Sequence, residues 1–225
     1  MIFDGRPIAD ITDGEILGLV EKHLAERRHL EFKLTVNHQV DDDRLELLLD
    51  VASLANAGGG YVIVGVRDDG KGRAQRFENP GDTTRIARSI RDLCLEHVVD
   101  RIDGLEVQER VVAEHKVIVL RVPTSTRVPH MVTFNRGTHF VTRYDDGKRE
   151  MTLAEIRDAM VGDLLHRRLL AIQESVQHLG RELGQSSAEE IKAGIAAGIP
   201  RARLQASNGK ALSDAELARF REEVG

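Results

Sequence analysis

The sequence predicts an α/β (α+β) domain: a mixed, largely antiparallel sheet with packed helices and a helical C-terminal extension. Three observations predict it. Residues 12–95 alternate between apolar residues at helical spacing and short apolar runs at strand spacing. Residues 105–143 hold β-branched runs separated by turn residues. From Leu153 onward the apolar residues return to helical spacing. A chain of 225 residues has room for one moderate domain, placed here at 12–160, and a helical docking or oligomerisation tail at 161–225.

Thr12 or Asp13 is placed to cap a first helix carrying Ile16, Leu17, Val20 and Leu24. Leu30 to Lys33 reads as a short strand in which Phe32, alternating with two charged residues, faces a core. Asp41, Asp42 and Asp43 suit the electropositive first turn of a second helix through Leu45, Leu48, Leu49, Ala52 and Ala55. Gly58, Gly59 and Gly60 accept left-handed backbone angles, so they can stop that helix and turn into a strand from Tyr61 to Val66, buried on both faces, that delivers Asp68.

Asp69-Gly70 marks a turn, and Asp82-Thr83-Thr84 opens a helix through Ile86, Ile90, Leu93 and Leu95. Two hairpins are expected next. The first joins Leu105–Val112 to Lys116–Val122 through the three-residue loop Ala113-Glu114-His115. The second joins Val128–Phe134 to Thr138–Arg143 around Asn135-Arg136-Gly137.

In the tail, Leu153, Ile156, Met160, Leu164 and Leu165, then Leu169, Ile172, Val176 and Leu179, form one long helix or two consecutive ones. A break is expected at Gly184-Gln185-Ser186-Ser187, then a helical stretch from Ala188 to Ile199, interruptions at Pro200 and Asn208-Gly209, and a last helix capped by Ser213-Asp214 through Leu217 and Phe220. The apolar series fits a homo-oligomeric contact, a dimer first because closed twofold association is the commonest solution, or a helical cap on the chain's own domain.

Composition narrows the functional classes. No apolar run is long enough to span a bilayer, and the N-terminal Met1-Ile2-Phe3-Asp4-Gly5-Arg6-Pro7 lacks a secretory apolar core, so a cytoplasmic protein without a membrane partner is expected. Cys94 is the lone cysteine and reads as a buried helix residue. A net charge of −5 argues against indiscriminate polyphosphate binding while leaving room for a local basic patch. With no Trp and few aromatic residues, an extended base-stacking surface is not supported.

The chemistry concentrates in Glu26-Arg27-Arg28-His29-Leu30-Glu31-Phe32-Lys33 and in Ala55-Asn56-Ala57-Gly58-Gly59-Gly60 followed by the strand to Asp68. If the two strands pair, Glu26, Glu31 and Asp68 can share one site, and an all-oxygen set suits Mg²⁺ or Mn²⁺. Solvated helix-end charge is the competing role for these acids. Lys33 can contact a phosphate or form a structural ion pair. Arg27, Arg28, Lys33, Arg67, Lys71, Arg73 and Arg143 are the candidate nucleic-acid contacts, with Arg76 beside them.

Asn56 can fasten the Glu31-Phe32-Lys33 strand, hold a phosphate, or make a helix-end hydrogen bond. His29 and His130 could approach the site, although a structural or surface role is the commoner outcome. The glycine run does not match Gly-x-x-x-x-Gly-Lys-Ser/Thr and follows a helix, which disfavours an ordinary P-loop ATPase.

These ordered motifs resemble the Schlafen AlbA-type domain over about residues 21 to 158: Glu26, Glu31-Phe32-Lys33, Ala55-Asn56, Gly58-Gly59, Gly65-Val66-Arg67-Asp68, Val122-Pro123 and Phe140-Val141-Thr142-Arg143. The family is described as a nucleic-acid or nucleotide-binding module. In animal Schlafen-type ribonucleases an equivalent acid trio is implicated in RNA cleavage. The resemblance implies an RNA-binding protein and a divalent-metal-dependent endoribonuclease acting on structured RNA such as transfer RNA, with Glu26, Glu31 and Asp68 as metal ligands and Lys33 as a further catalytic residue. A noncatalytic nucleic-acid-binding or regulatory module is the main alternative, and a nucleotide-binding regulator the third.

Overall fold

The computed structural model describes residues 2–145 and 147–196. The elements run α1 (Asp13–Glu21), β1 (Leu30–Lys33), α2 (Asp41–Asn56), β2 (Gly60–Val64), β3 (Val66–Asp68), β4 (Ala74–Phe77), α3 (Thr83–His97) and β5 (Val98–Val99). They continue with β6 (Glu106–Val112), β7 (His115–Val122), β8 (Met131–Phe134), β9 (Gly137–His139), β10 (Val141–Tyr144), β11 (Gly147–Glu150) and α4 (Leu153–Ala196). The chain divides into two compact units, Met1–Leu164 and Leu165–Gly225. All described residues of the second unit lie in α4.

In the first unit a four-stranded sheet has the order β1-β2-β7-β6. β1 runs parallel to β2, with Leu30 opposite Tyr61 and Lys33 opposite Val64. The β2–β7 and β7–β6 pairs are antiparallel. The remaining strands form the two-stranded sheets β3-β4 and β10-β11 and the sheet β5-β8-β9. The expected mixed, largely antiparallel α+β architecture is therefore present.

Period-two alternation sorts the central sheet into two cores. Val62, Val64, Val107, Ile118 and Leu120 pack with Leu47, Leu48, Val51 and Leu54 of α2 and Ile86, Ile90 and Leu93 of α3. Leu30, Phe32, Tyr61, Ile63, Val117 and Val119 pack with Phe3, Ile8, Ile11, Ile16 and Leu19. Leu30 and Phe32 both point into the second core, so Glu31 and Lys33 must project on the α2 side. That parity places the charged half of β1 against a helix.

Local chemistry fixes the element ends. Thr12 forms a capping box with Glu15: its hydroxyl accepts from the Glu15 N–H (3.2 Å), while the Glu15 carboxylate accepts from the Thr12 N–H (2.9 Å). Asp82 caps α3 by accepting from the Arg85 N–H at 3.0 Å. After α2, the Gly59 N–H donates to Leu54 O (2.8 Å), and Gly59 takes φ +88° where a Cβ would meet Val122 O at 2.7 Å. Only glycine satisfies both demands.

Four expectations need correction. The strand expected from Tyr61 to Val66 divides at Gly65 (φ +102°), because left-handed backbone cannot continue a strand; Val66–Asp68 pairs with β4 instead. The first hairpin turns through two residues, Ala113 (φ 48°) and Glu114 (φ 69°), since His115 is already opposite Val112. The second hairpin ends at His139, after which β10 pairs with β11. The break expected at Gly184–Ser187 is absent, and α4 continues to Ala196. An interior glycine costs a helix only about 1 kcal/mol relative to alanine, too little by itself to end it. Pro200, Asn208-Gly209 and the last helix at Ser213–Phe220 lie outside the described residues.

Among the described residues no helix is long and apolar enough to cross a membrane.

Candidate functional site

The parallel pairing of β1 with β2 brings the two motif segments together. Just before β1, the Glu26 N–H donates to Gly72 O at 2.7 Å, and Ala25 bridges Arg73, which lays this segment beside the turn after Asp68. The Glu26 carboxylate accepts from the Phe32 N–H at 2.8 Å. It also covers Gly72 so closely that a Cβ there would lie 2.6 Å from its Oε2. Burial first, then repulsion by Glu31, raises Glu26 from 4.5 to about 7; Asp68 adds to this, while the Phe32 N–H and Arg143 oppose it.

Glu31 and Lys33 enter an ionic group that joins four elements. Arg143 of β10, 6 % exposed, donates through Nη2 to Glu31. Lys33 Nζ is 2.7 Å from Asp50 Oδ2 and 4.0 Å from both Glu31 and Glu46. Lys148 of β11 donates to Glu46 (2.5 Å) and Asp50 Oδ1 (2.6 Å). Asp50 itself is only 1 % exposed.

Burial, followed by Asp50, raises the Glu31 carboxyl above its ordinary range against the pull of Arg143 and Lys33. Burial works to lower Lys33, but Asp50, Glu31 and Glu46 outweigh it and hold the ammonium above its ordinary value.

Glu26, Glu31, Lys33 and Arg143 are thus neighbours, and Asp68 is close enough to act on the charge of Glu26. Asp68 accepts from the Gly70 N–H at 3.1 Å. The other basic candidates are arranged differently. Arg67 grips Glu78 with two hydrogen bonds (2.6 and 2.8 Å), and that carboxylate, its pKa lowered chiefly by Arg67 to about 2, also holds Arg76 at 3.2 Å. Arg27, Arg28, Lys71 and Arg73 are exposed. Arg143 faces inward to Glu31.

Asn56, the last residue of α2, reaches beyond its own helix and not to β1. Its side chain donates to His130 O (2.9 Å) and Val141 O (2.8 Å) and accepts from the His130 N–H (2.7 Å), which ties the end of α2 to the start of β10. His130 is fully buried and joined through Nδ1 to Asp100 O; burial lowers its pKa. His29 Nδ1 lies 2.7 Å from Gly59 O in the glycine turn. Cys94 is buried, which pushes its thiol up to about 12, and Phe32 lies in the second core.

Sequence reasoning missed Glu46, Asp50, Lys148 and Gly72. A signal for Asp50 exists: a charge inside Leu47-Leu48-Leu49-Asp50-Val51-Ala52, on a helix otherwise apolar there. Glu46 stands one turn earlier, on the same face. Lys148 gave no signal, because β11 was not expected.

In donor type the acids suit Mg²⁺ or Mn²⁺. Among the described residues, however, no group of three His, Cys, Asp or Glu side chains is gathered as a ready cage. Glu31 is already engaged by Arg143, whereas the hydrogen bonds to Glu26 and Asp68 described above come from backbone N–H groups.

The Schlafen, AlbA_2 family matches residues 26–152, more than half of the chain. No curated protein matches it significantly. Similar solved structures include the DIP2311 protein from Corynebacterium diphtheriae, at 18% identity and TM-score 0.42. That similarity covers 62% of this chain and only 30% of that one. Another is the N-terminal domain of a RecG-related protein from Nitrosomonas europaea, at 18% identity and TM-score 0.45, covering 64% of this chain and 93% of that one.

Proposed function

This chain belongs to the Schlafen, AlbA_2 family, and from that membership and the geometry of its charged site we propose that it binds nucleic acid and cleaves structured RNA, such as transfer RNA, with a divalent cation. One observation carries this reading. Glu26, Glu31, Glu46, Asp50 and Asp68 form a linked group with the cations Lys33, Arg143 and Lys148. The group holds more acids than cations, and burial first, then repulsion by Glu31, raises Glu26 to about 7. A bare phosphodiester would be repelled here, whereas a divalent cation would be attracted.

Glu26, Glu31 and Asp68 would hold the ion. Once bound, it would neutralise phosphate charge and lower the pKa of water. Without the cation Glu26 titrates near neutrality, so binding the ion there would displace its proton. Lys33, among Glu31, Glu46 and Asp50, would supply positive charge within the acid group. Arg27, Arg28, Lys71 and Arg73, on the adjoining exposed segments, would contact backbone phosphates and give affinity that falls with salt.

The test is incubation of the purified protein with transfer RNA, other structured RNA and DNA, each with Mg²⁺, with Mn²⁺ and with chelator. Cleavage of structured RNA that chelator abolishes is the expected result. Binding without cleavage in every condition would replace it with a second reading, a noncatalytic nucleic-acid-binding module. That alternative is favoured by one observation: Glu31 is already neutralised by Arg143, and Lys33 by Asp50, as in a purely structural ion network. For the C-terminal segment we propose self-association, supported by the exposed Leu169, Ile172 and Val176 at helical spacing along α4.

A further inference from the structure

We infer that Asp50 is the positioning residue of this site, fixing Lys33 directly and fixing Glu31 through the β10–β11 hairpin that carries Arg143. The inference rests on the proposed reading of the acid group as a reaction site, and it assigns a role to a residue outside the acid trio.

Asp50 is 1 % exposed, so it acts on neighbouring side chains and does not touch substrate. Its two oxygens divide the work. Oδ2 lies 2.7 Å from Lys33 Nζ in β1. Oδ1 lies 2.6 Å from Lys148 Nζ in β11 and 3.9 Å from Arg143 Nη1 in β10. One carboxylate therefore meets cations from three strands that belong to two separate sheets.

That separation is the reason a side chain must set the geometry. Among the described residues β10 and β11 pair only with each other, so no described backbone ladder fixes their distance from β1. The hairpin is held to α2 by Lys148 on Glu46 and Asp50 and by Asn56 on Val141 O. Two residues beyond Val141, Arg143 reaches back to Glu31. Asp50 thus holds Lys33 on one side and the support of Glu31 on the other. A buried ion pair is poor evidence of net stabilisation but can specify one arrangement among several, which is the role required here.

The experiment uses full-length protein carrying Asp50→Asn or Lys148→Met. Acetylation of lysines by acetic anhydride at pH 8 is read by mass spectrometry, with exposed Lys22 as internal reference, beside steady-state cleavage of structured RNA in Mn²⁺. Asp50→Asn removes the carboxylate that pins Lys33 Nζ at 2.7 Å, so Lys33 is released and its labelling should rise severalfold relative to Lys22. It should lower kcat by ~10–100-fold, the range for residues that support reacting groups, with KM changed less than about threefold. Lys148→Met, which keeps the Asp50–Lys33 pair, should leave Lys33 protected and still lower kcat, because the hairpin loses its charged tie to Glu46 and Asp50.

Unchanged Lys33 labelling, or unchanged kcat, in folded Asp50→Asn protein overturns the inference. If Asp50→Asn does not fold, Lys148→Met decides, and wild-type kcat in that variant overturns it. A wild-type protein that never cleaves RNA sinks the proposed function instead, while the labelling result still reports whether Asp50 holds Lys33.

Discussion

The ammonium of Lys33, on the edge strand β1, meets the carboxylate of Asp50, inside α2, at 2.7 Å. This contact turns the charged face of β1 from a solvated edge into part of a buried ionic group, and it links the Glu31-Phe32-Lys33 motif to a residue that no motif marks. The consequences are testable one by one.

Alanine at Glu26, Glu31 or Asp68 should each reduce metal-dependent RNA cleavage by ~10²–10³-fold, the range for loss of a group that stabilises a transition state. RNA affinity should change far less. Asp42→Ala, on the exposed first turn of α2, serves as the matched control, and circular dichroism establishes that each variant folds. Wild-type rates in all three acid variants would sink the nuclease proposal.

Glu26 makes stability depend on pH. Its folded-state value of about 7 lies above 4.5, so the folded state holds the proton more tightly than the unfolded state. The stabilising contribution is fully present below pH 4.5 and is lost as pH rises through 7. Glu26→Gln, which cannot ionise, should gain thermal stability over wild type from pH 5 to pH 8. A difference in melting temperature that stays flat across that range contradicts the assignment. Because a cation competes with the same proton, Mn²⁺ affinity should also rise through pH 7.

Asn56→Ala should destabilise the protein by roughly 2–4 kcal/mol, measured by urea unfolding. It leaves the His130 N–H and two carbonyl groups without their partner, and an orphaned buried polar group costs ~1–3 kcal/mol. A loss below about 1 kcal/mol would mean that water replaces the amide.

Gly59→Ala should cost roughly 2 kcal/mol or more, because left-handed backbone penalises a Cβ by ~1–2 kcal/mol and this Cβ also meets backbone atoms of Val122, Pro123 and Thr124. Thermal unfolding checks it. Gly14→Ala, where a Cβ meets nothing within 4 Å, is the comparison that should not destabilise.

Leu169→Asp combined with Val176→Asp should convert the proposed self-associating species to a monomer in light scattering, since both residues are exposed on α4 in the isolated chain. Equal monomeric masses for wild type and variant would reject self-association.

The sequence by itself determined much of the local structure. Thr12 and Asp82 announced helix starts, the glycines after Asn56 announced the turn into β2, and alternation in Leu30-Glu31-Phe32-Lys33 showed which half of β1 is apolar. Such signals are short-range: caps, turns and periodicity act within a few residues. The candidate acids were legible because they lie in those same segments.

Tertiary structure alone decided what faces them. Val66–Asp68 left the central sheet because Gly65 turned the chain, and β11 formed as the partner of β10. Asp50, Glu46 and Lys148 gathered around Lys33 because parity of β1 aimed it at α2 and the β10–β11 hairpin packed beside that helix. Coulomb attraction and desolvation depend on distance in space, and residues that meet only after folding leave no spacing in the sequence from which their meeting could be read.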